Sequence, residues 1–175
     1  MEEPVEFASR AYWIVLALLL FARGMDFLST WIATPNLLLE ANPIAKKLGW
    51  RWGIPVNVLI CLALALWPLP AIVVATTSVL VAARNFQSAW LMRSFGEVRY
   101  TCLVAEQMAR TSLALYLFCV MSQAVLTAAV GAALMWFSED QEVPLAIGLG
   151  IVAYAVAVAI YTLLSLRRGR SAPEA

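Results

Sequence analysis

The fold class this sequence predicts is all-α: a polytopic integral membrane bundle of five transmembrane helices, N-terminus outside and C-terminus inside. Three observations carry that reading. Of 175 residues, 63% are hydrophobic and 13% charged, with a mean hydropathy of +0.82, whereas soluble domains carry about 25% charged residues. The apolar runs repeatedly approach or reach the roughly 20 residues a helix needs to cross the hydrocarbon core. Finally, lysine and arginine gather on one side of the spans those runs define.

The first span runs over 11–33. The acidic N-terminus "MEEPVEFASR" lacks the basic leader of a secretory signal peptide, so this helix is read as retained. The second, 54–67, is short and stops at "WPLP", where prolines 68 and 70 force a tight hairpin. The third covers 70–95. The fourth, 111–137, has no charged side chain. The fifth, 144–166, opens on Pro144, a favourable first-turn residue. The segment 96–110, "GEVRYTCLVAEQMAR", is too charged to span and reads either as an interfacial helix or as an extension of the fourth helix. All of 1–175 forms a single transmembrane domain.

Orientation follows from charge. The side shared by the N-terminus, the "WPLP" turn and the "SEDQEV" loop holds Arg10 alone. The opposite side holds Lys46, Lys47, Arg51, Arg93, Arg99, Arg110, Arg167, Arg168 and Arg170. An even number of spans destroys this asymmetry. The lipid bilayer is thus the first partner, in the cytoplasmic (inner) membrane of a bacterium or archaeon.

Composition also excludes chemistry. There is no histidine, which removes the commonest general base and metal ligand. The lysines, Lys46 and Lys47, lie in a loop, so a Schiff base within a helix is not expected. Cys61, Cys102 and Cys119 have neither CxxC nor zinc spacing and read as small apolar fillers. No Gly-rich phosphate loop, paired-aspartate signature or basic nucleic-acid face occurs. No catalytic residue, metal or cofactor is assigned, and nucleic acid is not a partner.

What remains is an intramembrane polar constellation. Charges inside a bilayer cost about 2.5–3.5 kcal/mol each on insertion scales, so they face protein and pair. Arg23 and Asp26 are spaced i, i+3 on one helix face, and Ser29 and Thr30 continue that face. Asp26 lies about 22 Å along the first span and Arg84 about 21 Å along the third. Arg23, Asp26, Arg84 and Asn85 are therefore expected at one level, with Asp26 bridged by Arg84, Arg23 or both. Two arginines against one aspartate leave guanidinium capacity for an anion or carboxylate.

Asn42 before Pro43 reads as an N-cap followed by proline at the first helical position. Glu40 sits near that helix end, where its charge is favoured, or beneath Asp26 as a closure of the site. Asn57 falls close to the same level. In the fourth span Ser112, Tyr116, Cys119, Gln123 and Thr127 share a face, for packing or for a polar path. Ala124, Ala128 and Ala132 form a small-residue seam beside it, and Gly148 and Gly150 lighten the fifth span. Tyr12, Trp13, Trp50, Trp52, Trp67, Trp136 and Tyr161 form aromatic belts at the span ends.

Asp26 with Ser29-Thr30, followed by Glu40, Asn42 and Pro43, resembles an uncharacterised family of small polytopic bacterial and archaeal membrane proteins. That family has an Asp-x-x-Ser/Thr-Thr … Glu-x-Asn-Pro arrangement. The resemblance covers the first 60 or so residues and implies no activity. It groups Asp26, Glu40, Asn42 and Pro43 as one unit.

The candidate binding residues are thus Arg23, Asp26, Thr30, Glu40, Asn42, Asn57, Arg84 and Asn85. The function they suggest is transport or binding of a proton, ion or small anionic solute by a homo-oligomer. The alternative is an accessory or scaffold subunit of a larger membrane complex, with the charges as a packing lock. A membrane-embedded enzyme acting on lipid is a third class, the least supported by residues.

Overall fold

The computed structural model describes residues 4–40, 42–139 and 141–170, with the side chains of 165–170, including Arg167, Arg168 and Arg170, outside the description. Among the described residues there are six helices and no strand: α1 (Arg10–Ala33), α2 (Pro43–Leu64), α3 (Pro68–Phe95), α4 (Glu97–Arg110), α5 (Leu113–Trp136) and α6 (Glu142–Arg170).

Local chemistry sets most boundaries. The Ser9 hydroxyl accepts the Tyr12 N–H and starts α1. Asn42 Oδ1 accepts the Ile44 and Ala45 amides at 2.9 and 3.4 Å, and Pro43 follows at the first helical position. Gly49, at φ 61°, kinks α2. Gly96, at φ 76°, separates α3 from α4, and Ser112 caps α5 by accepting the Leu115 amide. The segment 96–110 is accordingly a helix of its own, not an extension of the fourth span. Ser112 spends its hydroxyl as a cap rather than on a polar path.

Four helices, α1, α3, α5 and α6, are long and apolar enough to cross a membrane. The expected second span, 54–67, lies in and just beyond α2, whose first half carries Lys46, Lys47, Arg51 and the Gly49 kink. Its uncharged part is too short to qualify by length and composition alone.

The helices form a row in the order α1, α3, α6, α5, with α2 laid against α1 and α3, and α4 against α3. The core lies between α1 and α3. Tyr12, Leu16, Leu19 and Ala22 meet Ala71 and Ala75, joined by Cys61 and Ala65. On α3 the buried positions Ala71, Ala75, Ser78, Ala82 and Ala89 alternate steps of three, four and seven. Small side chains at that spacing let two helices approach closely along their length.

Contacts between helices fix their directions. Arg23 meets Ser78 and, further along both, Ser29 and Thr30 meet Asn85, so α1 and α3 run parallel. The Val5 amide donates to the Leu66 carbonyl, the Tyr12 hydroxyl to Leu62, and Phe27 packs at Gly53, so α2 runs antiparallel to α1. Tyr12 is therefore core, not interfacial belt.

α5 and α6 make an antiparallel pair crossing at Gly131 and Gly148. A Cβ on either would sit 2.7 Å from the other's carbonyl oxygen. Ala124 and Gly131 are buried and Ala132 is exposed, so the seam leaves the expected Ala124–Ala128–Ala132 row at its end. α3 meets α6 near the start of both, where Thr77 donates to the Gly150 carbonyl at 3.0 Å.

Candidate functional site

The polar side chains of the first three helices fall into two layers along the α1–α3 seam. In the first, the Arg23 guanidinium donates to Asp26 Oδ2 at 2.8 Å and to Ser78 Oγ at 3.1 Å. It reaches Asn57 Oδ1 twice, from Nε at 3.0 Å and from Nη2. The Asn57 amide nitrogen donates to the Gly53 carbonyl one turn back at 2.8 Å, which fixes which of its atoms faces Arg23. Phe27 lies under the guanidinium, 5.6 Å from ring centre to Cζ. One cation thus binds α1, α2 and α3 together.

The second layer is seven residues further along α3, or about 10 Å at the helical rise. There the Asn85 amide donates to Ser29 Oγ at 3.3 Å and Thr30 Oγ1 at 3.2 Å. Ser29 is fully buried, and its own hydroxyl donates to the Asp26 carbonyl oxygen at 2.9 Å. The two layers are therefore linked through Asp26.

Asp26 is the chemically open member. Its Oδ2 carries the Arg23 ion pair, while Oδ1 accepts no hydrogen bond among the described residues. The side chain keeps 17% of its exposure. Two charges act on it: Arg23, attractive, and Glu40, repulsive. Glu40 Oε1 in turn accepts the Asn42 amide at 2.7 Å. The α1–α2 connection thus brings a second carboxylate within electrostatic reach of the first.

Arg84 does not join. Among the described residues it makes no hydrogen bond or ion pair; of the two bridges expected to Asp26, the one from Arg23 forms and the one from Arg84 does not. The reason is angular: Arg84 precedes Asn85 by one residue, about 100° around the helix from the face that meets α1. That puts it on the face of Thr77, turned toward α6. Nor is the expected common depth met: Arg84 adjoins Asn85 at the second layer, not the level at which Arg23 meets Ser78.

Two contributors escape sequence reasoning. Ser78 completes the Arg23 cage. Its signal is present, since it lies seven residues before Asn85 on the small-residue face of α3. Glu97, only 8% exposed, accepts the Asn36 amide at 2.7 Å and the Leu38 amide at 3.3 Å, clasping the α1–α2 connection from α4. Nothing in the sequence ties it to a segment about 60 residues earlier. Trp50 Nε1 donates to the Pro35 carbonyl at 2.8 Å on the other side. The expected interfacial Trp50 is thus a strap on this connection. A cleft of about 270 Å³ opens between the loop and the α3–α4 joint, lined by Asn36, Leu38, Arg93 and Glu97 among others.

The polar stripe of α5 lies apart from this site. α5 packs on α6, and Cys119 and Gln123 are exposed on its outer face. Among the described residues no three carboxylates or thiols converge on a point that could hold a metal.

Comparison of the chain with protein-family models, curated proteins and solved structures gives no match.

Proposed function

We infer that this chain is a small integral membrane protein that binds and moves a proton or another small ion at Asp26. The observation that carries the reading is the asymmetric use of that carboxylate. One oxygen is held by Arg23 deep in a spanning helix, and the other accepts no hydrogen bond among the described residues, with Glu40 near enough to repel it. An open carboxylate oxygen within the field of a second acidic group favours a proton or small cation. An anionic solute is disfavoured, because Arg23 already spends four of its five N–H donors on Asp26, Asn57 and Ser78.

Five spans, with N-terminus outside, are part of this reading. Parallel packing of α1 against α3 supports them: two neighbours that cross in the same direction need a return crossing between them, and α2 is the segment available. The basic loops then put Glu40 at the cytoplasmic face of a bacterial or archaeal inner membrane.

One observation favours a second reading, a scaffold subunit. Arg23 ties three helices at once, as a structural clamp would. Reconstitution into lipid vesicles with an internal pH-sensitive dye, under gradients of protons, sodium or potassium, separates the two. The expected result is flux from the native chain and its loss in Asp26→Asn, with helicity and monodispersity retained. Vesicles no leakier than protein-free ones under all three gradients, or Asp26→Asn conducting like the native chain, would falsify the transport reading. Collapse of Asp26→Asn without flux in the native chain supports the clamp.

A further inference from the structure

We propose that α5 carries a self-association surface centred on Gln123, and that its occupant is α5 of a second copy of this chain. Gln123 is ten residues from the start of α5 and thirteen from its end. At 1.5 Å per residue this places it about 15 and 20 Å from the two termini, near the midplane of a core about 30 Å thick. Its side chain is exposed and has no hydrogen-bond partner among the described residues. The Thr127 hydroxyl uses the Gln123 backbone carbonyl, not the amide. From that depth a glutamine is too short to reach water, and an unsatisfied amide in hydrocarbon is costly. Serine or threonine can bond to its own helix; this amide needs a partner from outside.

The chemistry of the group selects a second copy. A primary amide carries both donor and acceptor, so it is complementary to itself. Two copies with the same orientation in a membrane relate by a two-fold axis along the bilayer normal, which runs their α5 helices parallel and sets each axial residue opposite its own counterpart. Two Gln123 side chains then exchange a reciprocal pair of N–H···O=C bonds. The surroundings fit a helix interface. Cys119 lies one turn earlier on the same face, and Leu126 and Val130, 68% and 63% exposed, flank it. α6 already covers the adjacent side, about 90° around α5, at Ala124 and Gly131.

Cys119 supplies the test. In a Cys102→Ser background it is the one exposed cysteine among the described residues, since Cys61 is buried. In vesicles of high lipid-to-protein ratio, copper-catalysed oxidation is expected to give a disulfide-linked dimer. Gln123→Leu, an apolar change on an outward face, is expected to weaken dimerisation about tenfold, while Gln123→Asn keeps most of it. Sedimentation of the chain in detergent gives the same comparison without oxidation. A native chain that stays monomeric in both measurements, or a Gln123→Leu chain that dimerises as tightly as the native one, overturns the proposal. The outcome is independent of whether Asp26 moves an ion.

Discussion

The α1–α2–α3 half and the α5–α6 half of this molecule solve one problem in two ways. In the first, charged and amide side chains lace the helices: Arg23 alone reaches Asp26, Asn57 and Ser78. In the second, no ionised side chain among the described residues is used between α5 and α6. The helices meet backbone to backbone at Gly131 and Gly148. Lipid tails are as apolar as leucine, so burying apolar surface does not by itself join helices in a membrane. Interhelical hydrogen bonds or close van der Waals fit must supply the attraction. The polar half leaves one Asp26 oxygen without a hydrogen bond among the described residues, whereas the close-packed half is joined by backbone fit.

Substitutions in the two halves should therefore fail by different mechanisms and by different amounts. Arg23→Leu should be the most damaging, because it strands Asp26 and frees Asn57 and Ser78 together. Removing one member of a buried pair costs about 3–5 kcal/mol, read as a large fall in the thermal midpoint in detergent. Gly148→Leu should come next, at about 2–3 kcal/mol, the upper part of the usual range for overpacking. Its Cβ would lie 2.7 Å from the Gly131 carbonyl oxygen and 2.5 Å from Met135 Cγ, and only the methionine end can move. Disulfide trapping between cysteines placed on α5 and α6 would report loss of that pairing, while a pair on α1 and α3 should still cross-link.

Asn85→Leu should cost less, about 1 kcal/mol, since it removes two interhelical hydrogen bonds worth about 0.6 kcal/mol each. The ordering Arg23→Leu worse than Asn85→Leu sharpens the contrast between the charged and neutral layers of the same seam. Arg84→Gln is the control. With no ion pair to break, it should change stability by no more than about 0.5 kcal/mol. A loss as large as that of Arg23→Leu would mean that the polar half extends toward α6.

The candidate site was legible in pieces. The i, i+3 spacing of Arg23 and Asp26 identified their pair, because helix geometry alone brings those side chains together. Asn42 and Pro43 declared the start of α2 through capping chemistry that is equally local. Matching depths placed Asn57 near the right level, but they put Asn85 level with Arg23 when it meets Ser29 and Thr30 in the second layer, and they drew in Arg84, which faces elsewhere. Depth is one coordinate, and the angle around the helix is another. The angular signal lay in Ala71, Ala75, Ser78, Ala82, Asn85 and Ala89, a small-residue row that marks the face of α3 turned to α1. Read from that row, Ser78 enters the site and Arg84 leaves it.

By itself the sequence determined that the chain is helical, strongly apolar and equipped with charges inside a spanning segment. Hydropathy, caps, prolines and short-range spacing are properties of neighbouring residues, and they act before any helix has a partner. Only the tertiary structure decided which helices share a seam, that Arg23 joins three of them, that Glu97 of α4 grips the connection carrying Glu40, and that Gln123 looks outward. Those facts depend on how each helix is rotated about its axis against its neighbours. That rotation is chosen by the fit of small residues along whole faces, which no local pattern contains.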